Sequence, residues 1–591
     1  MHSSLIFALE GHAQRQPKAP ALLWRGREIS YGQLLDSARQ ACAQVTALGA
    51  AARSPVGLPA TKSPWTIAVA LGCLMSGRAV LFAAVDLPSA TARAVYEQAG
   101  CGLVLATQPG VATDVVTHLV EHDPGVPRTT RTCPPPRPDD VAFLLTTSGS
   151  TGVPKVVPIS VGAIDRFVDW ADGYFEFGSG QVVLSYAPLN FDLSLLDVWT
   201  TLALGGCVVL VDPERSTDGR YLGDLIAAHR VSLMQAVPMM YQLVVDATAD
   251  TGRQLPEVRH AAFSGDHLPA GCLVELSRLL PNARLHNIYG CTETNDSFVY
   301  EVSDPATTPV PMPLGEPLPG VEFHLVGPDG RVLVGAGVGE LNVHTPFLTS
   351  GYVDDARNAE RFVPHPAGAD DRTYFRSGDL VRRHEDGTCT LEGRVDHQIK
   401  VRGVQVNTQQ VEQVLLAHEE VYEAAVLVEV DPVGGRRLHA VVRLPDGCRV
   451  NSLDLRRHCI AHLPRAAVPT TLEIVTESLP RTSSGKVDRT RLAERARPTD
   501  ALAVEQGELA MLRRFIIEEF APDLTADQLT ADHDLISDGL LDSIGMLKVV
   551  AWLGRTFGVD IEQFDFTPER FRSLNAILSM TPAVGESGRP S

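Results

Sequence analysis

Lysine is nearly missing from this 591-residue chain: of its 51 basic side chains only Lys18, Lys62, Lys155, Lys400, Lys486 and Lys548 are lysines, and arginine supplies the rest. The flat guanidinium fork cannot replace a compact ammonium on a flexible stem, so each retained lysine marks a position that calls for a reason. Positive charge as a whole is in deficit, because 71 acidic residues leave a net charge of −20. A protein that grips nucleic-acid phosphates or anionic lipid needs a local basic patch, and no segment supplies one. The ten cysteines are scattered singly, which excludes CxxC metal knuckles and a dense disulfide framework. Long apolar runs are also missing. The longest, near Trp65 to Met75, is too short to span a bilayer, and the opening MHSSLIFALEGHAQRQ lacks a basic segment followed by a clean apolar one. A reduced, cytoplasmic protein with neither nucleic-acid nor membrane partners is expected.

What is present is enough apolar residue, 44%, to fill several cores in a chain of this length. Up to about residue 300, β-branched runs such as Val141 to Thr146, Val182 to Tyr186 and Cys207 to Val211 alternate with amphipathic stretches, the pattern of α/β layers. From about Pro309 to Leu391 shorter strands separated by Gly, Pro and Asp turns predict a β-rich, barrel-like or sandwich subdomain. A small α+β unit follows, with helices predicted over Gln409 to Ala417 and Leu453 to His462 and strands over Ala424 to Glu429 and Leu438 to Val442. The stretch from residue 495 to 504 reads as a linker. Residues 505–580, with 14 acidic and 6 basic side chains and apolar residues at helical spacing, predict an acidic four-helix bundle, and 581–591 a disordered tail.

Thr146 to Lys155 reads TTSGSTGVPK directly after the apolar run VAFLL. Glycines let backbone NH groups approach phosphate oxygens, hydroxyls add donors and the lysine adds charge, so this is a phosphate cradle by composition. Its spacing is not that of GxxxxGK[ST]. Further along stand NIYGCTE (287–293), SGDL (377–380), GRVDHQIKVRG (393–403) and LPRTSSGKVDR (479–489), in that order.

With these motifs in this order, the chain resembles the adenylate-forming superfamily, and most closely the amino-acid-adenylating domains of nonribosomal peptide synthetases, from about Tyr31 to Arg489. The resemblance implies a large adenylation core over 1–395 built from two α/β sheet subdomains plus the β-rich one, a hinge at Asp396 and a small subdomain over 396–494. It implies ATP and Mg2+ as cofactors. Thr147, Ser148, Gly149, Ser150, Thr151, Gly152 and Lys155 would hold the pyrophosphate portion of ATP, Glu293 the metal, and Thr292 the α-phosphate. Asn287 and Tyr289 would meet adenine, and Asp379, supported by Arg394, the ribose. Lys486 would bridge the carboxylate and phosphate during adenylation, and Lys400 would line the thiol's approach after the small subdomain has turned.

DGLLDSIGMLKVVAWL (538–553) resembles the attachment site of acyl and peptidyl carrier proteins, with Ser543 at a helix N-terminus carrying 4'-phosphopantetheine. Read alone, a serine there is an N-cap. The resemblance makes 505–580 a carrier, and its acidity suits a basic phosphopantetheinyl transferase. SYAPLNFDLSLLDVW (185–199) is similar to the segment whose aspartate, here Asp192, binds the substrate ammonium. By the same matching Leu193, Leu196, Ala236, Ala262, Ser264, Ile288 and Asp296 line the pocket. Leu193 and Leu196 are similar to proline-activating enzymes, whereas Asp296 suggests a hydroxyl or a second cation, and the choice stays open. The implied function is activation of an amino acid as aminoacyl-AMP and its transfer to the fused carrier, for downstream tailoring or condensation enzymes, with a small helper protein as a further partner. The alternatives are a fatty or aryl acyl-AMP ligase, and a silent scaffold with a pantetheinylated arm.

Overall fold

The structure is a computed structural model describing residues 5–49, 53–85, 87–108, 115, 118–122, 135–147, 154–178, 180–248, 251–265, 268, 270–309, 312–353, 356, 358–368, 370–395, 398–401, 404–418, 420–430, 436–480, 487, 489–495, 507–521, 524–541, 543–557 and 567–580. They form two compact units, 1–405 and 406–591.

The first unit is organised around a nine-stranded sheet. Its central strands, such as Val182–Ser185 (VVLS), Cys207–Leu210 (CVVL) and Leu233–Ala236 (LMQA), are short buried runs, as parallel strands covered on both faces must be. Val182–Ser185 lies between the other two and parallel to both, so connections diverge at its carboxyl end. Such a switch point opens a crevice beyond the strand ends, where open α/β sheets bind ligands. The chain leaving this strand runs through Asp192 into a π-helix, Leu195–Thr200.

Side chains alternate between the two faces of the sheet. Val183, Leu233, Ala262 and Ile288 join a core shared with helix Val161–Phe175. Leu184, Met234, Ala236, Ala261 and Phe263 join another, shared with helices Gly219–Ala228, Pro238–Thr248 and Ala270–Leu279.

A six-stranded sheet contains Val141–Thr147 paired antiparallel with Lys155–Ser160, so the glycine-rich loop joins two neighbouring strands. The β-rich segment is a five-stranded antiparallel sheet. Its long strand Thr373–Arg383 pairs with Phe362–Pro364 at one end and Cys389–Arg394 at the other. Among the described residues no pairing joins its outer strands, so the sheet stays open where the turn-rich sequence suggested a barrel or sandwich.

In the second unit, strands Glu423–Val430, Arg436–Arg443 and Thr471–Val475 form a mixed sheet, the first pair antiparallel and the second parallel. Helix Ser452–His462 starts at a capping box in which Asn451 and Asp454 bond each other's backbone NH groups. Helix Arg489–Arg495 runs through the residue at which the linker was expected to begin. Further on come helices Glu508–Phe520, Ser543–Phe557 and Leu574–Leu578 and a 3-10 turn, Pro568–Phe571. Leu512, Ile516, Leu535, Leu541, Val550, Leu553, Phe571 and Ile577 form their core, and Leu453 of the preceding layer joins it. Arg457 holds both carboxylate oxygens of Asp538, at 2.6 and 2.8 Å. Gly539, at φ +68°, follows, and a Cβ there would lie 2.7 Å from Ile460. The rest of 495–504 and the tail 581–591 lie outside the described residues.

Candidate active site

Asp192 sits just past the switch-point strand and accepts a hydrogen bond from Thr292 Oγ1 at 3.0 Å. Burial pushes its carboxyl upward, while the Lys400 ammonium and the Thr292 hydroxyl oppose the rise. Lys400 is carried on strand Gln398–Val401, and its Nζ lies 3.8 Å from where a Cβ on Gly265 would stand. Gly265 follows the strand His260–Ser264 at its carboxyl end. Asp192, Thr292 and Lys400 therefore meet in the crevice.

Glu293, next to Thr292, is buried and accepts from the Tyr352 hydroxyl through Oε1 at 2.6 Å. The same tyrosine ring lies under Lys155 Nζ, 4.9 Å from its centroid. One side chain thus touches both the carboxylate expected to hold a metal and the lysine expected to hold phosphate. Thr147 Oγ1, at the mouth of the glycine-rich loop, is buried without a hydrogen-bond partner among the described residues. An orphaned hydroxyl, a lysine and one carboxylate with an oxygen to spare fit a phosphate chain with Mg2+, which takes one or two carboxylates and completes its shell with phosphates and water.

Tyr289 donates its hydroxyl to Asp379, and Arg394 Nη1 holds the other Asp379 oxygen at 2.6 Å. Asp379 and Arg394 face each other across adjacent strands, and Arg394 also donates to the Ser377 carbonyl at 2.9 Å. Burial beside Asp379 pushes the Tyr289 phenol far up, so it stays a donor. Asn287 instead donates to the Pro313 carbonyl at 3.0 Å. Cys291, half-buried, lies 3.1 Å from Thr294 Oγ1, and burial raises its thiol pKa, which keeps it an inert thiol.

Among the pocket positions, Ala262, Ile288 and Leu196 are buried on the face shared with helix Val161–Phe175, and Ser264 follows Ala262 on the same face. Leu193 is half-buried. One step back along these strands, His260 and His286 stack, His286 bonded to the Tyr174 hydroxyl at 3.0 Å. Burial pushes His286 down to about 3, so this floor is uncharged at neutral pH. Ala236 differs from expectation: it faces the opposite core, because alternate residues of a strand point to opposite faces. Its neighbour Gln235 takes the crevice side and donates to Asp296 Oδ2 at 3.4 Å. Gln235 and Tyr352 were not singled out from the sequence; the period of the strand signals the first, and nothing local signals the second. Lys62, whose rarity was a signal, is buried and donates to the carbonyls of Ser185 and Tyr186, both at 2.8 Å. Ser148, Gly149, Ser150, Thr151, Gly152, Asp396 and Lys486 lie outside the described residues, and Ser543 heads a helix of the second unit.

Residues 9–353 match the family model described as AMP-binding enzyme, and residues 410–486 match the AMP-binding enzyme C-terminal domain. An L-proline--[L-prolyl-carrier protein] ligase of Pseudomonas fluorescens is 33% identical over 83% of this chain and 98% of its own length. A ligase of the same name from Streptomyces coelicolor is 36% identical over 62% of this chain and 68% of its own. Among solved structures, holo-PA1221, described as a nonribosomal peptide synthetase protein containing adenylation and carrier domains, superposes with a TM-score of 0.80 at 24% identity, covering 97% of this chain and 96% of that one.

Proposed function

Since the chain belongs to the AMP-binding enzyme family, we propose that it activates an amino acid with ATP and Mg2+ and passes it to a phosphopantetheine thiol on its own carrier segment. It is an AMP-forming ligase. The observation that carries the reading is the Thr292 to Asp192 hydrogen bond: it joins the carboxylate that receives the substrate ammonium to the Thr-Glu pair on the phosphate side.

In the first step a carboxylate oxygen of the amino acid attacks the α-phosphorus, and the bond to the β-phosphate breaks with its electron pair leaving on pyrophosphate. Asp192 orients the ammonium, Thr292 the α-phosphate, and Asp379 with Arg394 the ribose hydroxyls. Lys155 with the loop Thr147, Ser148, Gly149, Ser150, Thr151 and Gly152 receives the pyrophosphate. Glu293 would hold Mg2+, which would supply neutralisation of the phosphate charge. Lys486 bridges the reacting carboxylate and phosphate. In the second step phosphopantetheine held on Ser543 would supply the thiol that accepts the acyl group, the carbon–sulfur bond forming as the acyl carbon–oxygen bond to phosphate breaks, with AMP leaving on that electron pair and the thiol proton passing to solvent. Rotation at Asp396 exchanges Lys486 for Lys400 between the steps. Residues 505–580 form the four-helix carrier with phosphopantetheine on Ser543, placed there by a phosphopantetheinyl transferase, and tailoring or condensation enzymes consume the thioester.

Intact mass of the pantetheinylated protein, incubated with ATP, Mg2+ and pooled amino acids, tests this reading. The expected result is a mass gain abolished by Ser543→Ala and by Lys486→Ala. Gain only with carboxylic acids lacking an amine would overturn it in favour of a fatty or aryl acyl-AMP ligase.

A further inference from the structure

Resting on the amino-acid reading above, we propose that the substrate's side chain carries a second, protonated nitrogen, and that Asp296 together with Gln235 holds it. Three aspartates crowd the end of the switch-point strand, Asp192, Asp197 and Asp296, with the Asp192 charge felt by Asp296 and the Asp296 charge by Asp197. Two of them have a lysine to oppose their charge. Asp192 has Lys400, and Asp197 has Lys62. Asp296 has none among the described residues, its one hydrogen-bonding side-chain neighbour being the neutral amide of Gln235 at a long 3.4 Å.

Asp296 is only 6% exposed, on strand Asn295–Glu301, whose register partner opposite it is Gly290. A side chain at Gly290 would collide with the Asn295 backbone, so the two strands close tightly at this point. Gln235 is 1% exposed, and its Oε1 has no hydrogen-bond partner among the described residues. A buried acceptor without a donor, beside a buried carboxylate without a cation, is a site built for a donor that arrives from outside. The substrate's α-ammonium answers Asp192 and leaves Asp296 unmet. A pyrrolidine ring or an aliphatic side chain would seal both acceptors away from water with nothing to bond. A side-chain ammonium or guanidinium satisfies both at once, Asp296 by charge and Gln235 Oε1 by hydrogen bond.

The position bears on the proline-carrier relatives as well. Leu193, Leu196 and Ile288 would shape an apolar wall for many side chains, but Asp296 and Gln235 impose a charge requirement that proline does not meet.

The test measures ATP–pyrophosphate exchange by the full chain, separately with L-2,4-diaminobutyrate, L-ornithine, L-lysine, L-arginine, L-threonine, L-proline and L-valine. One of the four basic amino acids is expected to give the highest kcat/KM, at least tenfold above proline. Asp296→Asn and Gln235→Leu are then expected to raise KM for that amino acid at least tenfold with a smaller change in kcat. Highest activity with proline, threonine or valine overturns the proposal and leaves amino-acid activation standing. Exchange only with acids lacking an amine, or with none, overturns both.

Discussion

Asp296 shows how one residue links pocket chemistry to stability. Burial and the neighbouring Asp192 push its carboxyl up to about 7 from an ordinary 3.8. Between these values the folded chain keeps a proton that the unfolded chain releases, so folding stability is retained below the lower value and lost as pH rises through the upper. Asp296→Asn removes that loss. The variant is expected to be more stable than the parent by about 4 kcal/mol at pH 8, with the advantage shrinking toward pH 4. Urea midpoints at the two pH values check this, and an advantage independent of pH would contradict it. At this scale the chain offers a candidate set whose members the fold brings together. Asp192, Thr292, Glu293, Tyr289 and Asp379 stand in short ordered motifs, and the fold brings them into hydrogen-bonded contact with one another or with near neighbours. Gln235 was missed because a one-residue offset along a strand reverses the face, and the run LMQA is apolar enough to hide which of its residues points where. Tyr352 was missed because its partners, Glu293 and Lys155, come from distant segments.

Among the elements, the π-helix Leu195–Thr200 departs most from the local pattern. Such turns are rare and concentrate near functional sites. Here it places Asp197 fully inside, with Lys62 as the charge that opposes its own. Burial pushes this carboxyl well up and pulls the Lys62 ammonium down to about 7, each opposed by the other's charge. Lys62→Met leaves Asp197 buried with no opposing lysine and is expected to cost about 3 kcal/mol, while Lys62→Met with Asp197→Leu recovers most of it. Denaturation followed by circular dichroism checks both; equal losses in the single and double variants would rule out the coupling. Regular elements were legible to within a residue or two: the helix predicted over Leu453 to His462 spans Ser452–His462, and the strand predicted over Ala424 to Glu429 spans Glu423–Val430. Periodicity carries that much. It carries nothing about the π-turn, whose sequence LLDVWT fits an ordinary buried helix.

For the whole molecule, alternating strands and amphipathic helices made the α/β layers legible, but strand order was not. The switch point at Val182–Ser185 arises from pairings between segments that sequence spacing does not connect. Composition likewise marked a break near residue 495, yet in the second unit the helices beyond it share a core with Leu453, and Arg457 clamps Asp538 five residues ahead of Ser543. Arg457→Ala is expected to speed amide hydrogen exchange across 535–541 by about tenfold while leaving the strand Glu423–Val430 unchanged, because the clamp is local and opening free energies differ between segments. Unchanged exchange at 535–541 would mean that the pair is ornamental. The shared core also bears on how such proteins can be recombined. A fragment cut at 504 exposes Leu453 and strips Arg457 of the closer of its two acidic partners, so the seam visible in composition is not the seam of cooperative folding. A replacement for the segment beyond 504 would need the face of helix Ser452–His462 to travel with it.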